Sequence, residues 1–258
     1  MLWLFIGHGI AGRGLEILFV NHPMKYYISN TPVVLLVSGP DAPRYLNARL
    51  TNDFKSLAVG QSQLSAALTA QGKTEAFFTV YKKAQDSAIL YSLEGDNEEI
   101  EEAFCRFKVA DQVEVENVSK TYGVAHVCEV IESSDDIISI PVNRVGSLGL
   151  DLVGPKEKLS ELASELLTRE QFEEQRIIAG TPSFPQEINS NYLFMESGFG
   201  EQAVSFSKGC YIGQEVIEKV DARGRLPYVL EHLVLEDSDT IETEKIVCLL
   251  YTSPSPRD

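Results

Sequence analysis

Apolar positions along the chain fall into short runs and short helical stripes. Val33-Val-Leu-Leu-Val-Ser38 is β-branched and apolar almost throughout and predicts a buried strand. Behind it, Tyr45, Leu46 and Leu50 lie at helical spacing, with Asp41 as the expected cap and Pro43 tolerated in the first turn. Residues 65–68 and 76–81 read as strands joined across Gln71-Gly72-Lys73, where glycine admits a positive φ, and so predict a hairpin. Further strands are expected over 87–93, 113–118, 124–131 and 137–142, and a helix over 100–107. Leu159, Leu162, Ala163 and Leu166 space a helix over 155–167. Thr168-Arg-Glu-Gln171 then supplies a capping box for a second helix that carries Phe172 and Ile177. Strands and helices come in mixed clusters without regular alternation and without an internal repeat, which favours an α+β fold over a doubly wound parallel sheet.

Composition narrows this picture more by charge than by hydropathy. The 258 residues are 44% hydrophobic and 23% charged, ordinary values that exclude disordered and collagen-like classes. Lys and Arg total 22 against 38 Asp and Glu, a formal net charge of -16, so direct nucleic-acid binding is not expected and an anionic ligand needs a local basic pocket. The acidic run Glu94, Asp96, Glu98, Glu99, Glu101 and Glu102 reads as the solvated start of a helix. Cys105, Cys128, Cys210 and Cys248 are widely spaced, and His8, His22, His126 and His232 show no ligand spacing. Neither a disulfide framework nor a metal site is expected, and the cytoplasm fits this cysteine usage.

The two ends read differently from the rest. The apolar opening stretch ends after six residues at Gly7, too short for a membrane span and without the basic start of a secretory signal, so no membrane partner is expected. Gly7-His-Gly9-Ile-Ala-Gly12 matches a dinucleotide-binding turn, but that motif asks for an acid about twenty positions on. After Glu16 the next acid is Asp41. Met24 directly precedes ordinary domain pattern, and residues 1–23 are expected to be extraneous. Residues 251–258 resemble translated adapter sequence.

The segment 172–224 carries the chemistry. Lys208-Gly209-Cys210 sets a cation and a flexible residue directly before a thiol, and a helix continuing from Tyr211 to Val220 would put Cys210 near its N-terminus. Unpaired backbone N–H groups and a nearby ammonium both favour thiolate, so Cys210 reads either as a reactive cysteine or as a small buried thiol beside Gly213. Gln214, Glu215 and Glu196 read by default as ordinary polar positions. A carboxylate is nevertheless a natural partner for a pterin ring, whose amino and ring N–H groups offer two parallel donors to two oxygens.

Lys208-Gly-Cys-Tyr-Ile-Gly-Gln-Glu215 resembles the hallmark of the YgfZ-type folate-binding proteins, whose wider family includes the glycine-cleavage T-protein, an aminomethyltransferase. Val37-Ser-Gly-Pro-Asp41, Thr51-Asn-Asp53, Thr69-Ala-Gln-Gly-Lys73 and Arg176-Ile-x-x-Gly180-x-Pro182 resemble further landmarks in the expected order, over about Met24 to Arg225. The resemblance implies a GcvT/YgfZ-type folate-binding fold and tetrahydrofolate, or a one-carbon derivative, as cofactor. Iron-sulfur enzymes or assembly proteins are the implied partners, with a link to tRNA modification. Cys210 would be the functional cysteine with Lys208 as its cationic neighbour, Glu196 would grip the pterin, and Phe172 would stack on it. Tyr211, Gln214 and Glu215 are carried as binding positions with the motif. Arg176 would either meet the folate tail or brace the loop with an ion pair.

Two departures qualify the resemblance. The transferase branch has an aspartate just after the Gly72-Lys73 turn, where this chain has Ala76 or Phe77; Glu75 would point to the opposite strand face from Ala76. This favours an accessory factor in iron-sulfur maintenance over aminomethyl transfer, with a nucleotide-dependent oxidoreductase as a third alternative. The family's closing β-barrel domain would have only residues 228–235 and 246–250 to begin it.

Overall fold

The computed structural model describes residues 25–108, 111–128, 136–162, 165–224, 226 and 228–232. The readings of residues 1–23, of the Gly7–Gly12 motif, of the strand over 246–250 and of the tail over 251–258 lie outside these residues.

Two five-stranded sheets face each other. One holds β2 (Val33–Ser38), β3 (Ser62–Leu68), β4 (Thr74–Ala84), β5 (Ser87–Ser92) and β6 (Glu114–Asn117), in the order β3-β4-β5-β2-β6. The other holds β1 (Lys25–Ile28), β7 (Tyr122–Val127), β8 (Ile138–Asn143), β9 (Leu148–Pro155) and β10 (Glu165–Leu166), in the order β10-β1-β7-β9-β8. Every pairing is antiparallel except β1 with β10. The class is α+β, as the mixed pattern predicts.

The layers follow from alternation along the strands. Val33, Leu35 and Val37 of β2, with Ala76, Phe78 and Val80 of β4, turn outward onto α1 (Ala42–Arg49) and α2 (Asn97–Cys105). The opposite faces meet in the seam between the sheets, through Val34, Ile89 and Tyr91 on one side and Tyr27, Val124, Ile140 and Val153 on the other. Tyr26, Ala125, Val127 and Leu152 cover the far side under Leu159 of α3 (Lys156–Leu162). At the β3–β4 end a separate apolar cluster gathers Leu68, Phe194, Ala203, Tyr211 and Ile217. There the chain from Ile188 to α6 (Gln214–Arg223) closes the sheet.

The hairpin and the second capping box are present: Gly72 sits at φ +76°, and Thr168 caps α4 (Arg169–Ile178) with Gln171 reaching back. Several expectations need correction. Asp41 stands at the N-cap position of α1, but its side chain makes no capping hydrogen bond; its carboxylate accepts from the Gln112 amide at 2.7 Å instead. Glu94 is not solvated. It is buried, accepting from the Tyr27 hydroxyl, Arg169 and the Gln186 amide, while Asp96 is the residue that caps α2. The helix expected over 155–167 is shorter, because Glu165 and Leu166 leave it to pair in parallel with β1.

Candidate functional site

The motifs scattered through the sequence converge on one end of the molecule. A Cβ at Gly72 would sit 2.8 Å from Val216 Cγ1, and one at Gly213 would sit 2.7 Å from the Thr69 carbonyl oxygen. The turn of the hairpin and the start of α6 therefore touch backbone to side chain, and both positions need glycine. The amide of Ile212 donates to the Ala48 carbonyl and that of Ser205 to Thr51, which ties the same segment to the end of α1.

Lys208 is the centre of this docking. It is buried, and its ammonium donates to the carbonyls of Asn47, Leu50 and Asn52, with the Tyr211 ring 4.6 Å away. These carbonyls sit in and just after the last turn of α1, which helices leave without internal partners. Burial pulls the Lys208 pKa down to about 8, against the attraction of Asp53, and the side chain still carries its charge at neutral pH. All three hydrogen bonds of its ammonium go to backbone carbonyls.

Cys210 itself is exposed. The expected helix from Tyr211 starts later, because Gly213 occupies the cap at φ +86° and α6 begins at Gln214. Cys210 lies ahead of that cap and outside the helix, so the helix-terminus argument for its reactivity does not apply. Tyr211 is buried in the apolar cluster at this end of the molecule. Gln214 accepts from the Tyr211 amide and donates to Glu218, and Glu215 pairs with Lys219 one turn on, the ordinary polar helix face.

Phe172 also departs from its expected role. It is buried in the seam between the sheets and stacked on Tyr27, centroids 4.1 Å apart, so neither face is open to a pterin. Arg176 is the brace of the two alternatives: buried, it pairs with Glu173 and Glu187 and donates to the Thr181 carbonyl at 2.7 Å.

Glu196 stands apart. It lies in a 3-10 turn (Phe194–Ser197) whose first amide hydrogen-bonds the Gly72 carbonyl, so the hairpin turn sets its position. Its side chain is only 4% exposed and lines a cavity of about 140 Å³. One carboxylate oxygen accepts from the Leu193 amide at 2.9 Å, the other from Tyr228 at 3.2 Å. A carboxylate has about four acceptor positions, so each oxygen keeps capacity for a further donor. The walls are Ile188, Leu193, Val229 and Leu230, with Tyr192 and Tyr228 in edge contact and Thr74 and Asn189 supplying polar atoms. Sequence reasoning singled out Glu196 alone among these. Ile188, Asn189, Tyr192 and Leu193 lie in an aperiodic stretch that offers no hydrophobic period to read, while Thr74 opens β4 and Tyr228, Val229 and Leu230 fall where the sequence suggests the start of a further β domain.

Glu75 is not in this cavity. It is held by buried Arg49 at 2.5 Å and by Arg106 at 3.3 Å. Among the described residues no group of His, Cys, Asp and Glu is placed to hold a metal ion, and no helix is long and apolar enough to cross a membrane.

Comparison with known proteins agrees with this architecture. Residues 31–128 match the GCVT N-terminal domain. The chain is 25% identical over 221 residues to the tRNA-modifying protein YgfZ of Yersinia enterocolitica, covering 74% of this chain and 65% of that one. It is likewise 25% identical over 220 residues to an aminomethyltransferase of Lysinibacillus sphaericus, covering 71% and 60%. The crystal structure of glycine cleavage system aminomethyltransferase T from Bartonella henselae shares the fold, with a TM-score of 0.66 at 16% identity over 78% of this chain and 64% of that one. The match of residues 31–128 to the GCVT N-terminal domain and the relatives of both kinds are consistent with the YgfZ/GcvT-like family. The chain spans about two thirds of the length of these relatives.

Proposed function

We propose that this chain is the tetrahydrofolate-binding part of an accessory protein of the YgfZ kind, serving iron-sulfur enzymes in the cytoplasm, and that it does not transfer aminomethyl groups. The observation that carries this reading is Glu196: a buried carboxylate with spare acceptor capacity on both oxygens, set in the wall of a small, largely apolar cavity. That arrangement suits a flat heterocycle whose edge offers parallel N–H donors. A cavity of about 140 Å³ takes a ring and not the whole cofactor, so the anionic tail would lie outside it. Lys73, whose backbone bridges to Leu193 at the cavity wall, would supply a cation for that tail.

The case against transfer rests on what replaces the acid. Ala76 is buried in the core beneath α1, and the neighbouring carboxylate, Glu75, is committed to two arginines. Moving Glu75 into the cavity would strand the Arg49 guanidinium inside the protein, which is strongly unfavourable. Cys210, exposed on the loop before α6, is free to meet a partner protein's thiol or cluster.

The finer reading is tested in cells lacking their own YgfZ-type protein. Expression of the full-length protein should restore the activity of iron-sulfur enzymes, and its Cys210→Ser form should not, while neither supports glycine cleavage in cells lacking the T-protein. Restored glycine cleavage, or equal rescue by both forms in the first assay, would overturn the reading.

A further inference from the structure

The β3–β4 ladder slips at its end nearest the cavity. Ala67 pairs with Ala76, but the next residue, Leu68, pairs with Thr74, so Glu75 is an extra residue bulged out of β4. Residues paired in a ladder point to the same side of the sheet, and successive ones alternate. Ala67 and Ala76 face the core beneath α1 and α2, whereas Leu68 belongs to the apolar cluster with Phe194 and Ile217. The bulge therefore turns Thr74 onto the side of Leu68, where it lines the cavity with Glu196. With regular alternation and no extra residue, Thr74 would instead share the face of Ala76.

Thr74 is 2% exposed, and among the described residues its hydroxyl has no hydrogen-bond partner. Glu196 is held from the neighbouring backbone: Lys73 bridges to Leu193, and the Leu193 amide donates to the Glu196 carboxylate. Two buried side chains with unused hydrogen-bonding capacity thus open into one small cavity from adjacent backbone. Asn189 and Gln186, also in the lining, are committed to neighbours. Asn189 donates to the Gln186 carbonyl and accepts from the Asn191 amide, while the Gln186 side chain accepts from the Ser183 hydroxyl and donates to Glu94. A buried hydroxyl without a partner costs free energy, which a ligand that pairs with it recovers.

Resting on the folate reading above, we propose that Thr74 is a specificity-determining residue, whose hydroxyl donates to a ring carbonyl adjoining the N–H that Glu196 holds. A carboxylate alone accepts from any ring that carries an amino group beside a ring N–H. The hydroxyl adds a donor beside those two acceptors. The pair then reads amino, ring N–H and carbonyl in succession, the edge of a 2-amino-4-oxo heterocycle such as a pterin. A ring that lacks the 4-oxo group leaves the hydroxyl unpaired and loses this contact.

The test is competition of two small rings, pterin and 2-aminopteridine, against bound tetrahydrofolate in the wild type and in Thr74→Val. The second ring lacks the 4-oxo group, and the substitution removes the hydroxyl while keeping a branched side chain of similar size. Thr74→Val should weaken pterin about fivefold and 2-aminopteridine less than about twofold. Because each ring is compared with itself in the two proteins, the ring N–H that 2-aminopteridine also lacks cancels. Thr74→Ala gives the same readout if valine prevents folding, and Thr74→Ser, which keeps the hydroxyl, should hold the wild-type ratio of the two affinities. Undiminished pterin binding in a folded variant without the hydroxyl, or equal weakening of both rings, would overturn the assignment of Thr74 and leave the folate reading standing. A folded wild-type protein that binds no tetrahydrofolate would overturn that reading and this inference with it.

Discussion

Replacing Lys208 by methionine separates a structural role from a role beside the thiol. Methionine keeps an unbranched apolar stem of similar length, so the change removes chiefly the ammonium. Three carbonyls, those of Asn47, Leu50 and Asn52, then lose their donor at the end of α1. Hydrogen bonds from charged groups contribute about 1.5–3 kcal/mol each, and part of that sum is returned because a buried ammonium no longer has to shed its water. A net loss of about 3 kcal/mol is expected, together with the ring contact to Tyr211 at 4.6 Å. For a chain of this size each kcal/mol lowers the melting temperature by about 2–4 °C, so Lys208→Met should melt about 6–12 °C lower by circular dichroism. The alkylation rate of Cys210 below the transition should change less than about twofold, because the ammonium is directed at the carbonyls and not at the thiol. A melting point within about 2 °C of wild type, combined with a fall in Cys210 reactivity of about tenfold, would refute this reasoning.

Two further outcomes follow from the seam between the sheets. Burial alone would raise the Asp151 pKa, but Arg144 and His126 outweigh it and hold it at about 2, below its ordinary 3.8. Asp151 therefore contributes about 2 kcal/mol of stability that is fully present above about pH 4 and is lost as pH falls toward 2. Urea midpoints measured from pH 7 down to pH 2 should show that loss, and Arg144→Met should largely abolish this part of the pH dependence. Phe172→Ala should cost about 3–5 kcal/mol by emptying the stack on Tyr27. Per folded molecule it should leave tetrahydrofolate affinity unchanged, a separation that equilibrium dialysis on the folded fraction can check.

Much of the fold was legible from periodicity, because β2, the β3–β4 hairpin and α4 carry local signals that tertiary packing did not override. β9 was missed for a specific reason. Leu148-Gly-Leu-Asp-Leu-Val-Gly-Pro155 breaks the strand pattern with glycines and an acid, and only long-range partners, Arg144 just after β8, His126 of β7 and Tyr91 of β5, make Asp151 tolerable in the core. The site was legible in part. Gly72, Gly213 and Lys208 stand out in sequence, and the structure explains why: they join the hairpin turn, α1 and α6 by close contact. That Lys208 binds carbonyls, that Phe172 lies between the sheets, and that Glu196 is joined by Tyr192 and Tyr228 depend on long-range contacts that no local pattern encodes.

The most direct test of the account is anaerobic calorimetric titration of tetrahydrofolate into the wild-type protein, Glu196→Ala and Cys210→Ala. Saturable binding by the wild type and Cys210→Ala, weakened at least about tenfold in Glu196→Ala as expected for loss of a bidentate charged contact, is the predicted result. A folded wild-type protein that binds no tetrahydrofolate, or Glu196→Ala that binds as tightly as wild type, would contradict it.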